Sequence, residues 1–166
     1  MPVSRRDLLK AALASAVLGP VNAIAAGSQI ERVEYTGADD PAAYRRFLDE
    51  QSRNAVVFSV FHAKWCGPCK ALFKQLDEIA QQPGVKIKIV GVDVGPPAYM
   101  SGPYKNIVQA NNAFATPSVE ILAAGDTQYS MKGFIQNVPE MTRYLRELTT
   151  AVHGDVSTRP ASRLKP

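Results

Sequence analysis

Apolar positions recur along this chain with two different periods, and the switches between them mark its elements. Ile30-Glu31-Arg32-Val33-Glu34-Tyr35 alternates and predicts a first strand at a sheet edge. Asp39-Asp40-Pro41 then supplies an acidic cap and a first-turn proline for a helix whose apolar face is Tyr44, Phe47 and Leu48. Val56-Val57-Phe58-Ser59-Val60-Phe61 is a short apolar run that predicts a buried strand. After it, Leu72, Phe73, Leu76, Ile79 and Ala80 fall on one face of a helix that ends near Gln82-Pro83-Gly84. Residues 85–92 predict a third strand, alternating early and almost wholly apolar later. Lys105 to Phe114 predicts a short helix, and Ser118-Val119-Glu120-Ile121-Leu122 a strand. A turn over Ala123-Ala124-Gly125-Asp126 returns the chain into residues 127–132. Asn137 or Val138 opens a last helix with Met141, Tyr144, Leu145, Leu148 and Val152 as its buried stripe. Strands alternating with helices predict an α/β fold, a sheet covered by helices.

Length and charge narrow the picture. At 166 residues, 46% of them hydrophobic, the chain suffices for one domain with a proper core, here placed over residues 28–152. Arg5, Arg6 and Lys10 against Asp7 supply half of the net charge of +4. No basic cluster interleaved with aromatics appears, so no nucleic-acid partner is expected. Residues 153–166 read as a flexible polar tail.

The N-terminus reads as an address. Ser4-Arg5-Arg6-Asp7-Leu8-Leu9-Lys10 precedes an alanine-rich apolar stretch broken by Gly19, Pro20 and Asn22, a poor membrane span. Ala23-Ile24-Ala25 places small residues where a signal peptidase reads. The segment resembles a twin-arginine export signal over residues 1–25, with Leu8 where phenylalanine is more usual. That resemblance implies a periplasmic or otherwise exported protein, folded before it leaves the cytosol.

The candidate chemistry sits between the buried strand and its helix. Both cysteines of the chain lie in Trp65-Cys66-Gly67-Pro68-Cys69-Lys70, which puts Cys66 at a helix N-terminus and Cys69 one turn in. Unpaired N–H groups and the helix dipole favour an anion at Cys66, with Lys64 and Lys70 adding positive charge. Such surroundings lower a thiol pKa from about 8.5 to roughly 3.5–7.5. Cys66 is then the exposed nucleophile and Cys69 the more buried resolving thiol, and the two can close into a disulfide by exchange. A zinc site needs about four ligands, and only His62 and His153 remain as soft candidates. A purely structural disulfide between these residues would close a tiny loop and staple little.

The hexapeptide after an apolar strand resembles the active site of thioredoxin. The resemblance implies a thioredoxin-like fold with a central mixed β-sheet flanked by helices, and dithiol–disulfide exchange. It makes Cys66 and Cys69 catalytic, with Trp65, Gly67, Pro68 and Lys70 as their support and no cofactor beyond the redox-active pair. Pro117 matches the proline that is cis in such proteins and faces the cysteines, and Thr116 before it would offer backbone to an extended substrate. Gly133 matches a glycine near the same surface. Two positions depart from the pattern. Val60 stands where thioredoxin buries an aspartate, and Ile89 where it has a lysine nearby. His62, on the same strand face as Val60, is either a tuner of the thiols or a packed strand residue. The loop over residues 93–104 is longer than thioredoxin has there; its Tyr99, Met100 and Tyr104 either form an apolar lip or pack on the body.

The function these residues point to is an exported thiol–disulfide oxidoreductase that reduces protein disulfides as a monomer, with a membrane-bound electron donor. The alternatives are a disulfide donor or isomerase, and a non-catalytic module using the dithiol for metal handling or assembly.

Overall fold

The apolar run at residues 56–61 lies where its composition requires, in the middle of a sheet. The computed structural model describes residues 30–96 and 102–154. Its strands are β1 (Glu31–Glu34), β2 (Val56–His62), β3 (Ile87–Asp93), β4 (Ser118–Ala123) and β5 (Asp126–Lys132). They form one sheet in the order β1-β3-β2-β4-β5. β3 is parallel to both β1 and β2, whereas β4 is antiparallel to β2 and β5. The sheet is therefore mixed. Crossovers through α1 (Pro41–Ser52) and α2 (Gly67–Ala80) allow the parallel half, and a tight hairpin makes the antiparallel one. The remaining helices are α3 (Lys105–Ala110) and α4 (Val138–His153).

Strand alternation splits the core into two. Val57 and Phe61 of β2 point with Leu122 toward Tyr44 and Leu48 of α1 and Ile107 of α3. Val56, Phe58 and Val60 point the other way, toward Leu72 and Leu76 of α2 and Leu145 of α4. Every residue of β2 before His62 is buried, because helices cover both faces.

The helix termini follow local rules. Asp40 caps α1 by accepting from the Ala42 N–H, with Pro41 in the first turn. Asn137 caps α4 by accepting from the Glu140 N–H, while the Asn137 amide donates to the Glu140 carboxylate. α3 ends four residues earlier than the predicted Phe114. Asn112 takes φ +52°, and the Ala113 and Asn112 N–H groups bond the carbonyls of Val108 and Gln109. This αL stop satisfies the last carbonyls and turns Phe114 outward, where it is exposed.

Of the long loop, Tyr104 packs its ring on Tyr35 and donates its hydroxyl to the Tyr35 carbonyl, the packed arrangement rather than the lip. Tyr99 and Met100 lie outside the described residues, as do the predicted signal over residues 1–25 and residues 155–166. Among the described residues no helix is long and apolar enough to cross a membrane.

Candidate active site

The strand-to-helix junction delivers the cysteines. β2 ends at His62, the Cys66 N–H bonds the Ala63 carbonyl, and α2 begins at Gly67 with Pro68 in its first turn. Cys66 is the N-cap of α2, its sulfur accepting from the Cys69 N–H at 3.1 Å. The two cysteines are joined in a disulfide, with Cα atoms 5.3 Å apart. The nucleophile of the sequence reading is thus the cap of its own helix. The expected contrast in exposure is absent in this oxidised form: Cys66 and Cys69 are each 2% exposed. The S–S bond holds Cys66 against the first turn, within a core cluster that includes Phe61, Ala63, Val92 and Val94.

Gly67, Pro68 and Lys70 are exposed around the pair. Lys64 and Lys70, exposed on either side of the pair in sequence, have no carboxylate within ion-pair distance among the described residues. Trp65 is 47% exposed, and its indole N–H donates to the Gly95 carbonyl at 2.7 Å. Gly95 N–H in turn donates to Asp93 Oδ1, so the tryptophan is fastened to the chain leaving β3.

The other expected residues come to the same end of the sheet. Ser118 pairs with Phe61 near the end of β2, so the preceding Thr116-Pro117 bond stands beside the strand that carries the cysteines. That bond is cis. Gly133 sits at φ +87° and donates its N–H to the Pro117 carbonyl at 2.8 Å. The backbone there needs a left-handed residue, which glycine supplies without a Cβ penalty. Val60 and Ile89 are both buried, at 0% and 2% exposure, so neither departure leaves an unpaired charge in the core.

Three features were not read from the sequence. Gln75 of α2 clamps Ile135 through both backbone groups, donating to its carbonyl and accepting from its N–H at 2.9 and 3.0 Å. This fixes the segment after Gly133 against the helix that bears the cysteines. Phe114 and Phe134, on the segments carrying Pro117 and Gly133, are exposed at 45% and 52%. Third, Glu34 crosses from β1 to His62, with Oε2 3.1 Å from Nε2. A lone glycine inside an apolar strand, Gly91, was the available signal for that crossing. Among the described residues, no cluster of three or more His, Cys, Asp or Glu side chains is placed to share a metal ion.

Comparison with known proteins agrees with this geometry. The thioredoxin family model matches residues 37–146. The chain is 32% identical to thioredoxin of Bacillus subtilis (strain 168) over 84 residues, which is 51% of this chain and 74% of that protein. A mutant thioredoxin from Halobacterium salinarum NRC-1 superposes with a TM-score of 0.52 at 22% identity, covering 72% of this chain and 91% of that one. Oxidised thioredoxin O2 from Arabidopsis thaliana gives 0.51 at 18% identity, covering 72% and 95%. At such identities the structural matches speak for the fold.

Proposed function

The chain belongs to the thioredoxin family and is a disulfide oxidoreductase, and from that premise we propose that it reduces protein disulfides outside the cytoplasm. The observation that carries the reading is the Cys66–Cys69 pair at the N-cap of α2, between two solvent-facing lysines. In the reduced pair, the N-cap position and Lys64 and Lys70 favour the Cys66 thiolate. That thiolate attacks a substrate sulfur and forms a mixed disulfide, with the substrate strand laid along Thr116-Pro117. Cys69 then attacks Cys66, and the substrate leaves reduced. Trp65, Gly67, Pro68, Lys70 and Gly133 shape the surface on which this happens.

The twin-arginine-like segment supports export, and its residues 1–25 would be removed on the way. A dithiol working outside the cytosol needs electrons brought to it, hence a membrane-bound donor. The chain acts as a monomer and needs no cofactor beyond its own two sulfurs.

The direction of catalysis is tested by the reduction potential of the Cys66–Cys69 pair. A reductase is expected near about −270 mV, and a value near about −120 mV would make the protein a disulfide donor. Cys69→Ser separates the enzyme from a dithiol metal module. The enzyme variant accumulates mixed disulfides with its substrates, whereas a metal module traps none.

A further inference from the structure

The resolving step leaves a chemical requirement that the cysteines alone do not meet. Cys69 attacks as a thiolate, yet it belongs to an apolar core cluster that includes Phe61, Ala63, Val92 and Val94, and the strand positions Val60 and Ile89 are apolar and buried. Desolvation there favours the neutral thiol. A base is needed under α2.

His62, on the same face of β2 as Val60, packs against the helix that bears the cysteines. Its ring packs edge-on against Phe73, centroids 5.4 Å apart, and Phe73 is one turn beyond Cys69 on the same helix face. A helical side chain covers the turn on the N-terminal side of its own Cα, so Phe73 leans toward the Cys69 turn. The His62 side chain is only 14% exposed, and its Nε2 lies 3.1 Å from Glu34 Oε2. Glu34 reaches it from β1 by passing over its register partner on β3, which is Gly91. A Cβ on Gly91 would stand 2.7 Å from Glu34 Cδ, so this path is open only across a glycine. With Nε2–H donated to Glu34, the neutral imidazole presents Nδ1 as an acceptor, and Nδ1 has no hydrogen-bond partner among the described residues.

We propose that His62, oriented by Glu34, is the proton-handling residue of the resolving step, a positioning residue that acts on Cys69 through solvent rather than by touching the sulfurs. The inference rests on the dithiol cycle proposed above. In the mixed disulfide the Cys69 thiol releases its proton to His62 Nδ1 by way of solvent. The Cys69 thiolate forms the S–S bond to Cys66 Sγ as the bond from Cys66 to the substrate sulfur breaks. The electron pair leaves with the substrate sulfur, which takes a proton from the imidazolium by way of solvent. The substrate disulfide gains two electrons, and the dithiol loses two.

The charged groups around the imidazole are few. β1 contributes Glu34, and also Arg32, whose guanidinium lies over the Phe73 ring and pairs with Asp77 of α2. β3 contributes Asp93, the register partner of His62, whose Oδ1 already accepts from Gly95. From α2 comes Asp77.

The test is the reaction of the reduced full chain with 5,5′-dithiobis(2-nitrobenzoate). Attack by Cys66 releases one thionitrobenzoate, and resolution by Cys69 releases the second, so the two steps are timed separately across pH. We expect His62→Gln to slow the second release roughly tenfold near neutral pH and to flatten its pH dependence, with the first release unchanged. Glu34→Gln, which keeps the ring but removes the carboxylate that orients it, is expected to slow the second release by less and to keep its pH dependence. The Glu34 variant also carries the test should His62→Gln not fold. A second release whose pH profile is the same in both variants as in the parent overturns the proposal and leaves His62 a packing residue. Equal slowing of both releases overturns it too, since His62 would then act on the helix as a whole. A parent chain that releases no thionitrobenzoate overturns the dithiol cycle itself, a failure distinct from the other two.

Discussion

Glu120 shows what a single side chain can cost in a sheet like this one. It stands on β4 beside Ser59 and Ser130, half-buried, with Oε2 enclosed and unpartnered among the described residues. Burial raises its pKa, and the charge of Arg45 offsets this only in part. A carboxyl whose pKa is higher in the folded chain binds more protons folded than unfolded. Its effect is therefore a loss of stability as pH rises from the ordinary glutamate pKa through the raised one. Glu120→Gln is expected to raise the melting temperature at pH 7, with the gain vanishing below the carboxylate range; a series of melts across pH checks this. At this scale the sequence spoke clearly where chemistry is local. Cys66 and Cys69 are legible because strand, turn and helix are contiguous there. Glu34 and His62 are 28 positions apart. Their meeting depends on β1 lying next to β3 and on a glycine in the intervening strand; the glycine is visible locally, but the register that puts it between them is not.

Elements were legible in kind and less so in extent. Period, apolar runs and turn residues together located every strand and helix of the described core: the helices bury one stripe, whereas β2, covered on both faces, shows as an unbroken apolar run. The ends moved where a backbone device intervened. α3 stops at Ala110 since Asn112 adopts a left-handed conformation and the next residue closes the αL motif. The β4–β5 hairpin is the converse case, a turn foreseen at its true place but built with an unusual residue. Its two loop residues, Ala124 and Gly125, both have positive φ, +53° and +85°. That is the type I′ pattern, which suits the strand twist and favours Asn-Gly over Ala-Gly. A left-handed conformation costs a residue such as alanine about 1–2 kcal/mol. Ala124→Asn is accordingly expected to stabilise the fold by up to about 1 kcal/mol without changing the redox potential. Urea denaturation of the oxidised chain measures the gain.

For the molecule as a whole, the alternation of strands and helices led to the right class, and the CGPC-type hexapeptide led to the family. Both edges of the resulting sheet are poor templates for pairing. β1 is four residues long and carries Glu31, Arg32 and Glu34, while β5 is largely exposed and polar. A single species of monomer mass is expected in light scattering, in the oxidised and the reduced state alike; a concentration-dependent dimer would contradict it. The choice of an inactive control also depends on how the site is built. Because the Cys66 sulfur is the cap of α2, removing the nucleophile with alanine also uncaps the helix. Cys66→Ala should lose about 1 kcal/mol that Cys66→Ser, with an oxygen able to accept the same N–H, retains. Serine is therefore the substitution that silences this site while leaving its helix capped, and a phenotype seen with alanine alone would report on folding as much as on redox chemistry.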